Sequence, residues 1–273
     1  MKHNKPFPRV LTIAGSDSGG GAGIQADLKT FGALGAYGAS VITAVTAQNT
    51  TGVQGVYVIP PEVIEQQCES VLSDIRIDAV KIGMLPDAAS IQAVARVLRR
   101  FPVPFVVLDP VLVATSGDKL ALEDTVGVLC RELLPLASII TPNLNELAQL
   151  TGNCLAENEA QMLEQGKQLL ALGAKTALLK GGHWENTHEA RDWLLQKDAE
   201  PQCFVNSRIP TENTHGTGCT LAAAIAALHP HRSGLHLTVA AAKSYLHGAI
   251  DAGQYWKLGN GHGPLAHFWR TVR

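Results

Sequence analysis

Excess charge, paired cysteines and long apolar runs are all lacking in this sequence, and each absence removes a class of function. The formal net charge is −2 over 273 residues, so no electrostatic footprint for nucleic acid is present. The five cysteines stand far apart without CxxC spacing, which indicates neither a disulfide framework nor a zinc site. No apolar run approaches the ~20 residues that cross a bilayer, and residues 1–8 form a short polar tail without a signal-peptide core. We therefore expect a protein of the reducing cytoplasm, with no membrane partner.

Several catalytic signatures are also missing. Neither the P-loop pattern G-x-x-x-x-G-K-[ST] nor the hydrolase elbow G-x-S-x-G occurs, and the ten histidines lack H-E-x-x-H spacing. A dinucleotide-like glycine pattern does occur, at Gly21, Gly23 and Ala26. A nicotinamide site would need an acid about 20 positions further on, but after Asp27 the next acid is Glu62. Nicotinamide binding is therefore not favoured.

Strand-like and helix-like segments alternate along nearly the whole chain. Short β-branched or apolar runs at 10–14, 39–46, 79–84, 105–108, 138–140 and 176–180 are separated by segments with helical spacing, and two last helices are expected at 237–252 and 265–270. This alternation predicts βαβ units in a three-layer α/β/α fold with a mostly parallel sheet. No linker or internal repeat interrupts it, so we predict one domain over residues 1–273.

The segment from Asn213 to Thr220 predicts a phosphate site. Gly216 and Gly218 stand directly before a run of strong helix formers, which leaves unpaired backbone N–H groups at a helix N-terminus. The same positive helix end would favour the thiolate of Cys219. The alternative is a tight turn into a buried helix, with Cys219 as a small core residue.

Polar residues collect where the predicted strands end, which is where ligands bind in such sheets. Asp109, Asn143 and Glu146 offer oxygen ligands that suit a Mg²⁺–phosphate complex. Asn143 and Glu146 could equally be an ordinary helix cap. Lys180, just before two glycines, could neutralise phosphate or be a solvated strand end.

Taken in order, the motifs resemble the hydroxymethylpyrimidine/phosphomethylpyrimidine kinase family of thiamine biosynthesis, within the ribokinase-like superfamily. They are A-G-S-D, G-G-A-G-I-Q-A-D-L-K, A-Q-N-T, K-I-G-M-L, L-D-P-V, T-P-N-x-x-E, L-L-K-G-G-H and N-T-H-G-T-G-C-T. The resemblance covers residues 10–263. It implies an ATP- and Mg²⁺-dependent enzyme that phosphorylates 4-amino-5-hydroxymethyl-2-methylpyrimidine and then its monophosphate. It also implies a homodimer.

The resemblance also assigns site residues. The pyrimidine pocket matches Gly15, Ala22, Asp27, Gln48, Met84 and Val111. In it, Gln48 and Asp27 would hydrogen-bond the ring nitrogens and the exocyclic amine, while Met84 and Val111 pack on the ring faces. The anion hole matches Gly216, Thr217 and Gly218, with Cys219 as the catalytic residue. The metal and the nucleotide phosphates would be surrounded by Asp109, Asn143, Glu146 and Lys180, with Asp109 and Glu146 toward Mg²⁺.

Two departures from the family pattern and two alternatives stay open. Gly19 stands where relatives often have serine, and Leu147 where they have a small residue. A pyridoxal or pyridoxine kinase on the same fold is one alternative, because a substituted pyridine with a hydroxymethyl group has nearly the same shape. The other is a binding protein that kept the pocket and lost the transfer chemistry.

Overall fold

The computed structural model describes residues 7–112, 125–182 and 188–270. Within these ranges one sheet has the strand order β3-β2-β1-β4-β5-β6-β7-β8-β9. The strands are β1 (Arg9–Asp17), β2 (Tyr37–Asn49), β3 (Gly52–Val58), β4 (Ala79–Ile82), β5 (Val106–Leu108), β6 (Ile139–Ile140), β7 (Thr176–Lys180), β8 (Glu189–Gln196) and β9 (Gln202–Ser207). The six strands from β2 to β7 in this order pair in parallel, and β3, β8 and β9 are added antiparallel at the two edges.

Helices cover both faces of this sheet. They are α1 (Gly23–Ala33), α2 (Pro61–Leu72), α3 (Ala88–Arg100), α4 (Thr125–Glu132), α5 (Leu144–Thr151), α6 (Glu159–Ala171), α7 (Thr217–Leu228) and α8 (Leu235–Gly253), with a 3₁₀ turn at His229–His231. Buried residues of α2 to α6 share one core cluster, and those of α1, α7 and α8 share the other. The predicted three-layer α/β/α fold with a mostly parallel sheet is confirmed.

Side-chain alternation along the short strands builds the two cores. In β5, Val106 and Leu108 pack toward α2–α6, whereas Val107 packs toward α7 and α8. Both faces are covered, so the strand is apolar at every position, as parallel strands in such folds are. Helix α7 is buried all round, because residues 222–227 are at most 2% exposed.

The sequence missed β3 and wrongly predicted a helix at 265–270. Residues 267–270 form turns instead. Here the backbone is held by the neighbouring helix, since Ala266 N–H donates to the Ala249 carbonyl and Tyr245 Oη to the His267 carbonyl. The β3 strand lies at a sheet edge and is largely exposed, so it has little of the hydrophobic pattern that marks a strand.

The topology gathers the carboxyl ends of β1, β2, β4, β5, β6 and β7 at one edge of the sheet, because parallel strands end on the same side. Gln48 lies near the end of β2, Asp109 directly follows β5, and Lys180 ends β7. No helix in the described ranges is long and apolar enough to span a membrane. The single domain over residues 1–273 stays a prediction.

Candidate active site

A cavity of about 890 Å³ opens at the carboxyl ends of the parallel strands. Its lining includes most of the residues that the sequence assigned to a site: Gly15, Ala22, Gln48, Met84, Asp109, Val111, Asn143, Glu146, Lys180, Gly216, Thr217, Gly218 and Cys219. Asp27 does not line it. The two glycine-rich segments, which are about 200 residues apart in sequence, therefore face a single cavity.

The two glycine segments are in backbone contact. Gly216 has the left-handed φ of +84°, and a Cβ built on it would lie 1.9 Å from the carbonyl oxygen of Gly21. Gly23 has a φ of +55°, and a Cβ built on it would lie 2.4 Å from the carbonyl oxygen of Gly15. Only glycine permits both the backbone conformation and these close approaches. The turn before α7 and the first glycine loop are therefore held in a fixed position relative to each other.

Asp17, at the end of β1, organises the first glycine loop. Its Oδ1 accepts a hydrogen bond from Gly19 N–H at 2.8 Å, and its Oδ2 accepts from Gly21 N–H at 3.0 Å and Ala22 N–H at 2.8 Å. The Nε2 of His215 also lies 2.9 Å from Oδ2. Burial raises the pKa of Asp17, but His215 and these amides outweigh burial and hold it below its ordinary value.

The N-terminus of α7 points at a cluster of charged side chains. A Cβ built on Gly218 would lie 3.4 Å from Lys180 Nζ and 3.7 Å from Asp109 Oδ2. The amide of Thr217 donates to the Thr214 carbonyl at 3.2 Å, so this amide is already used within the turn. The next two amides, of Gly218 and Cys219, lie in the first helical turn, where no intrahelical acceptor exists. We therefore expect anion binding to rest on these two more than on Thr217.

Lys180 is paired with two carboxylates, those of Asp109 after β5 and of Glu146 in the first turn of α5. Its Nζ lies 3.1 Å from Asp109 Oδ1 and 3.7 Å from Glu146 Oε2. Asp109 Oδ1 also accepts from Thr141 Oγ1 at 2.9 Å. Burial favours the neutral acid, but Lys180 and Lys81 keep the pKa of Asp109 below its usual value. Burial raises the pKa of Glu146 to about 7, with Asp109 adding to the rise and Lys180 opposing it.

The capping interpretation of Asn143 and Glu146 is also correct. Asn143 Oδ1 accepts from Glu146 N–H at 2.9 Å, and Glu146 Oε2 accepts from Asn143 N–H at 2.7 Å, which is a full capping box for α5. Both residues still line the cavity. The cap fixes the position of the Glu146 carboxylate beside Lys180, so the structural and functional interpretations are compatible.

Cys219 lines the cavity as a thiol. Burial raises its pKa to about 11, although Lys81 and a hydrogen bond from Gly23 N–H oppose the rise. The sequence predicted a thiolate favoured by the helix N-terminus, and that prediction is corrected here. The side chain is half-buried beside Lys81, Asp27 and Asp109. Losing water costs the charged sulfur more than Lys81 returns, and the two carboxylates raise the pKa further.

Asp27 lies beneath the cavity and its side chain is fully buried. Its Oδ2 accepts from Lys81 Nζ at 2.8 Å and Thr12 Oγ1 at 2.6 Å, while Oδ1 has no hydrogen-bond partner among the described residues. The expected hydrogen bond from Asp27 to a pyrimidine ring is therefore corrected, since Lys81 lies at the cavity wall and Asp27 lies behind it. Lys81 was missed, although a lysine between Val80 and Ile82 in an apolar strand is a visible signal of a buried charge.

The remaining pocket residues are apolar or amide-bearing. A Cβ built on Gly15 would lie 2.5 Å from Met84 Cε, so Gly15 makes room for this methionine. The Met84 backbone is fixed by Thr43 Oγ1, which donates to its carbonyl at 2.7 Å. Asp109 and Val111 form a tight turn, with Val111 N–H donating to the Asp109 carbonyl at 2.8 Å. An apolar wall and a carboxylate are thus held only two residues apart.

The donor set fits Mg²⁺ by its chemistry. Among the residues that the structure describes, Asp109 Oδ2 and Glu146 Oε1 take no hydrogen bond, and both side chains line the cavity. The described ranges contain no group of three or more His, Cys, Asp or Glu that could hold a metal ion. Mg²⁺ binds through one or two carboxylates together with waters and substrate phosphates, so it does not need such a group.

The three-layer fold, with a helix N-terminus facing a lysine–carboxylate cluster across one cavity, defines the ribokinase-like class of kinases. The family model described as phosphomethylpyrimidine kinase matches residues 17–266, and this chain belongs to that family.

Individual relatives agree with this assignment. The hydroxymethylpyrimidine/phosphomethylpyrimidine kinase of Escherichia coli (strain K12) is 52% identical over 259 residues, which cover 95% of this chain and 97% of that protein. The pyridoxal kinase from Staphylococcus aureus in complex with ADP superposes with a TM-score of 0.89 at 32% identity, covering 97% of this chain and 95% of that chain. The phosphomethylpyrimidine kinase from Clostridium difficile 630 gives a TM-score of 0.78 at 41% identity, covering 89% and 99%.

Proposed function

We propose that this protein transfers a phosphoryl group from ATP to 4-amino-5-hydroxymethyl-2-methylpyrimidine and then phosphorylates the monophosphate to the diphosphate, in thiamine biosynthesis. One observation carries the proposal. The N-terminus of α7 contacts the glycine loop of the heterocycle pocket on one side and faces Lys180 and Asp109 on the other. A phosphoryl group held at this helix would lie between a flat ring and a nucleotide. The names of the close relatives support the same two reactions.

On the heterocycle side, Gly15, Ala22, Met84 and Val111 would enclose the ring, and Gln48 would hydrogen-bond its polar edge. These five residues line the cavity together with Ser16 and Thr46. Apolar walls with a few placed polar groups are typical of small-molecule pockets. The pocket would orient the hydroxymethyl group toward α7, and this positioning supplies much of the rate in phosphoryl transfer.

On the nucleotide side, Lys180 would neutralise phosphate oxygens, and the amides of Gly218 and Cys219 would stabilise charge on the transferred group. Asp109 and Glu146 would hold Mg²⁺, directly or through water, with Asn143 fixing Glu146. When bound, the ion would draw charge from the phosphates and lower the barrier to transfer. The ADP complex of the staphylococcal relative supports nucleotide binding by this fold.

Because the free protein holds Cys219 as a thiol, it could take the proton of the substrate hydroxyl only while passing its own proton to an oxygen of the transferred phosphoryl group. Phosphoryl transfer passes through a loose transition state in which the attacking hydroxyl needs little prior activation. We therefore expect Cys219 to act late, and its substitution to reduce turnover less than loss of Lys180.

The test is purified protein with MgATP and either the pyrimidine alcohol or pyridoxal, with the phosphorylated products separated by chromatography. We expect mono- and diphosphate from the pyrimidine and a much lower kcat/KM for pyridoxal. Lys180→Met should lower kcat/KM by about 100- to 1,000-fold, as loss of a charge-stabilising donor does, and Cys219→Ala by less. Pyridoxal turnover above that of the pyrimidine would favour the second candidate, which the staphylococcal relative suggests. Pyrimidine binding without any product would support a non-catalytic protein.

We also infer a homodimer in the cytoplasm. The edge strand β3 exposes apolar side chains, with Tyr57 69% and Val56 47% exposed, and an edge of this kind is suited to pairing with a second copy. Sedimentation equilibrium would give twice the monomer mass of 29.0 kDa.

A further inference from the structure

The side-chain amide of Gln48 is held between two residues to which the sequence analysis assigned no role. One end of the amide lies 3.4 Å from Nε2 of His215, and the other lies 3.1 Å from Oγ1 of Thr46. The backbone of Gln48 is fixed as well, because Ser18 Oγ donates to its carbonyl at 2.7 Å and accepts from its N–H at 2.8 Å. Gln48 therefore has little freedom to move, and the remaining question is which way its amide faces.

At one end of the amide, the hydrogen on His215 determines the orientation. Asp17 Oδ2 lies 2.9 Å from His215 Nε2, and a carboxylate can only accept, so Nε2 carries a hydrogen. This holds whether the ring is neutral or protonated. A nitrogen that carries hydrogen cannot accept a hydrogen bond from an NH₂ group. The end of the Gln48 amide that faces His215 must therefore be its oxygen.

At the other end of the amide, the hydroxyl of Thr46 requires the same orientation. Its hydroxyl donates to the Ser16 carbonyl at 2.7 Å, a shorter contact than the 3.1 Å to Gln48. With its one hydrogen used, the Thr46 oxygen can only accept from Gln48. The end of the amide that faces Thr46 must be the nitrogen. The hydrogen of His215 points to the closer Asp17, so placing Oε1 toward His215 avoids a contact between two donors at 3.4 Å, and placing Nε2 toward Thr46 makes the 3.1 Å contact a hydrogen bond. Amide oxygens and nitrogens are distinguished only by such partners.

We propose that His215 is a specificity-determining residue which, with Thr46, fixes the amide orientation of Gln48 and thereby selects an aminopyrimidine edge. In this orientation one N–H and one oxygen lone pair of Gln48 remain for a ligand. An amide of this kind pairs with a ring nitrogen that has an amino group on the adjacent carbon, as Gln pairs with adenine. A 4-aminopyrimidine has such an edge. A 3-hydroxypyridine such as pyridoxal does not, because its ring nitrogen is flanked by a methyl-bearing carbon and a C–H.

The inference rests on the proposed function and is tested by removing one group from the substrate. The parent and variants are assayed with the aminopyrimidine alcohol and with 5-hydroxymethyl-2-methylpyrimidine, which lacks the amine. A site built to hydrogen-bond a group rejects the analogue without it strongly, so we expect the parent to prefer the amino substrate by at least about 100-fold in kcat/KM. His215→Phe and Thr46→Val should each reduce this preference to within about 10-fold, chiefly through KM. Gln48→Ala gives the preference for the amino substrate that remains when the amide is absent.

Matched variants separate orientation from folding. His215→Gln keeps an N–H donor and Thr46→Ser keeps the hydroxyl, so both should retain most of the preference, and thermal unfolding shows whether each variant folds. If His215→Phe and Thr46→Val both keep the parent preference while Gln48→Ala loses it, the orientation is set by something else and the proposal is overturned. If Gln48→Ala also keeps it, Gln48 does not read the amine, and the kinase activity stands without the inference. A parent that phosphorylates neither alcohol overturns the proposed function itself.

Discussion

Replacing Gly216 by alanine isolates the contact that joins the phosphate turn to the heterocycle pocket. A Cβ at this position would lie 1.9 Å from the Gly21 carbonyl oxygen, whereas real Cβ contacts essentially never fall under 3.0 Å. One backbone segment must therefore move by roughly 1 Å, and a misplacement of about 1 Å at a reacting centre can cost about 100-fold in rate. The alanine must also adopt the left-handed φ of +84°, which costs about 1–2 kcal/mol.

Gly152 provides a matched control. It ends α5 with a left-handed φ of +69°, but a Cβ there would meet no atom of the described ranges within 4 Å, and it does not line the cavity. Gly152→Ala should lose about the same 1–2 kcal/mol of stability with little change in activity. Gly216→Ala should lose about 100-fold or more in kcat/KM for the pyrimidine alcohol, measured by ADP release at saturating MgATP.

The two variants also define the result that would refute this reasoning. Urea unfolding measures the conformational cost in each, and kinetics measures the displacement. If Gly216→Ala keeps an activity within about threefold of Gly152→Ala, the Gly216–Gly21 contact does not set the geometry of the site. If both variants lose activity equally, general destabilisation rather than local displacement is the cause.

Two further predictions concern buried charge. Burial lowers the pKa of His267 to about 4, so between pH 6.5 and 4 the unfolded chain binds a proton that the folded chain does not. The free energy of unfolding should therefore decrease by about 3 kcal/mol as the pH is lowered through this window. The free energy of unfolding of His267→Gln should depend less on pH. A His267→Gln variant with the same pH slope as the parent would contradict this. Lys81→Met should cost about 3–5 kcal/mol by leaving Asp27 buried without its cation, and Asp27→Leu in the same chain should recover most of the loss. Equal stability of the single and double variants in urea would show that leaving Asp27 without its cation costs nothing.

The sequence was most informative where a local pattern has a local cause. The alternation of apolar strands with amphipathic segments predicted the three layers, because a strand covered on both faces must be apolar throughout. The Asn143–Glu146 cap was legible in the same way, since a capping box joins residues three apart. The helix predicted at 265–270 failed because Ala249 and Tyr245, which lie nearby only in the fold, hold its backbone groups.

The assignments at the site depended on contacts between distant segments. Asp27 and Lys81 are 54 positions apart, so neither local pattern predicted that the Asp27 carboxylate would pair with Lys81 beneath the pocket. For Cys219, the helix N-terminus was visible in the sequence and argued for a thiolate. The burial that raises its pKa to about 11 comes from the surrounding elements.

By itself the sequence determined the α/β class, the strand ends at which polar residues gather, and the glycines that open a helix toward an anion, because each depends on residues close together in the chain. Only the tertiary structure decided that Gly216 touches Gly21 and that His215 reaches both Asp17 and Gln48. Pairings of this kind form when a parallel sheet brings separate strand ends to one edge, and the protonation of a side chain follows from whatever surrounds it there.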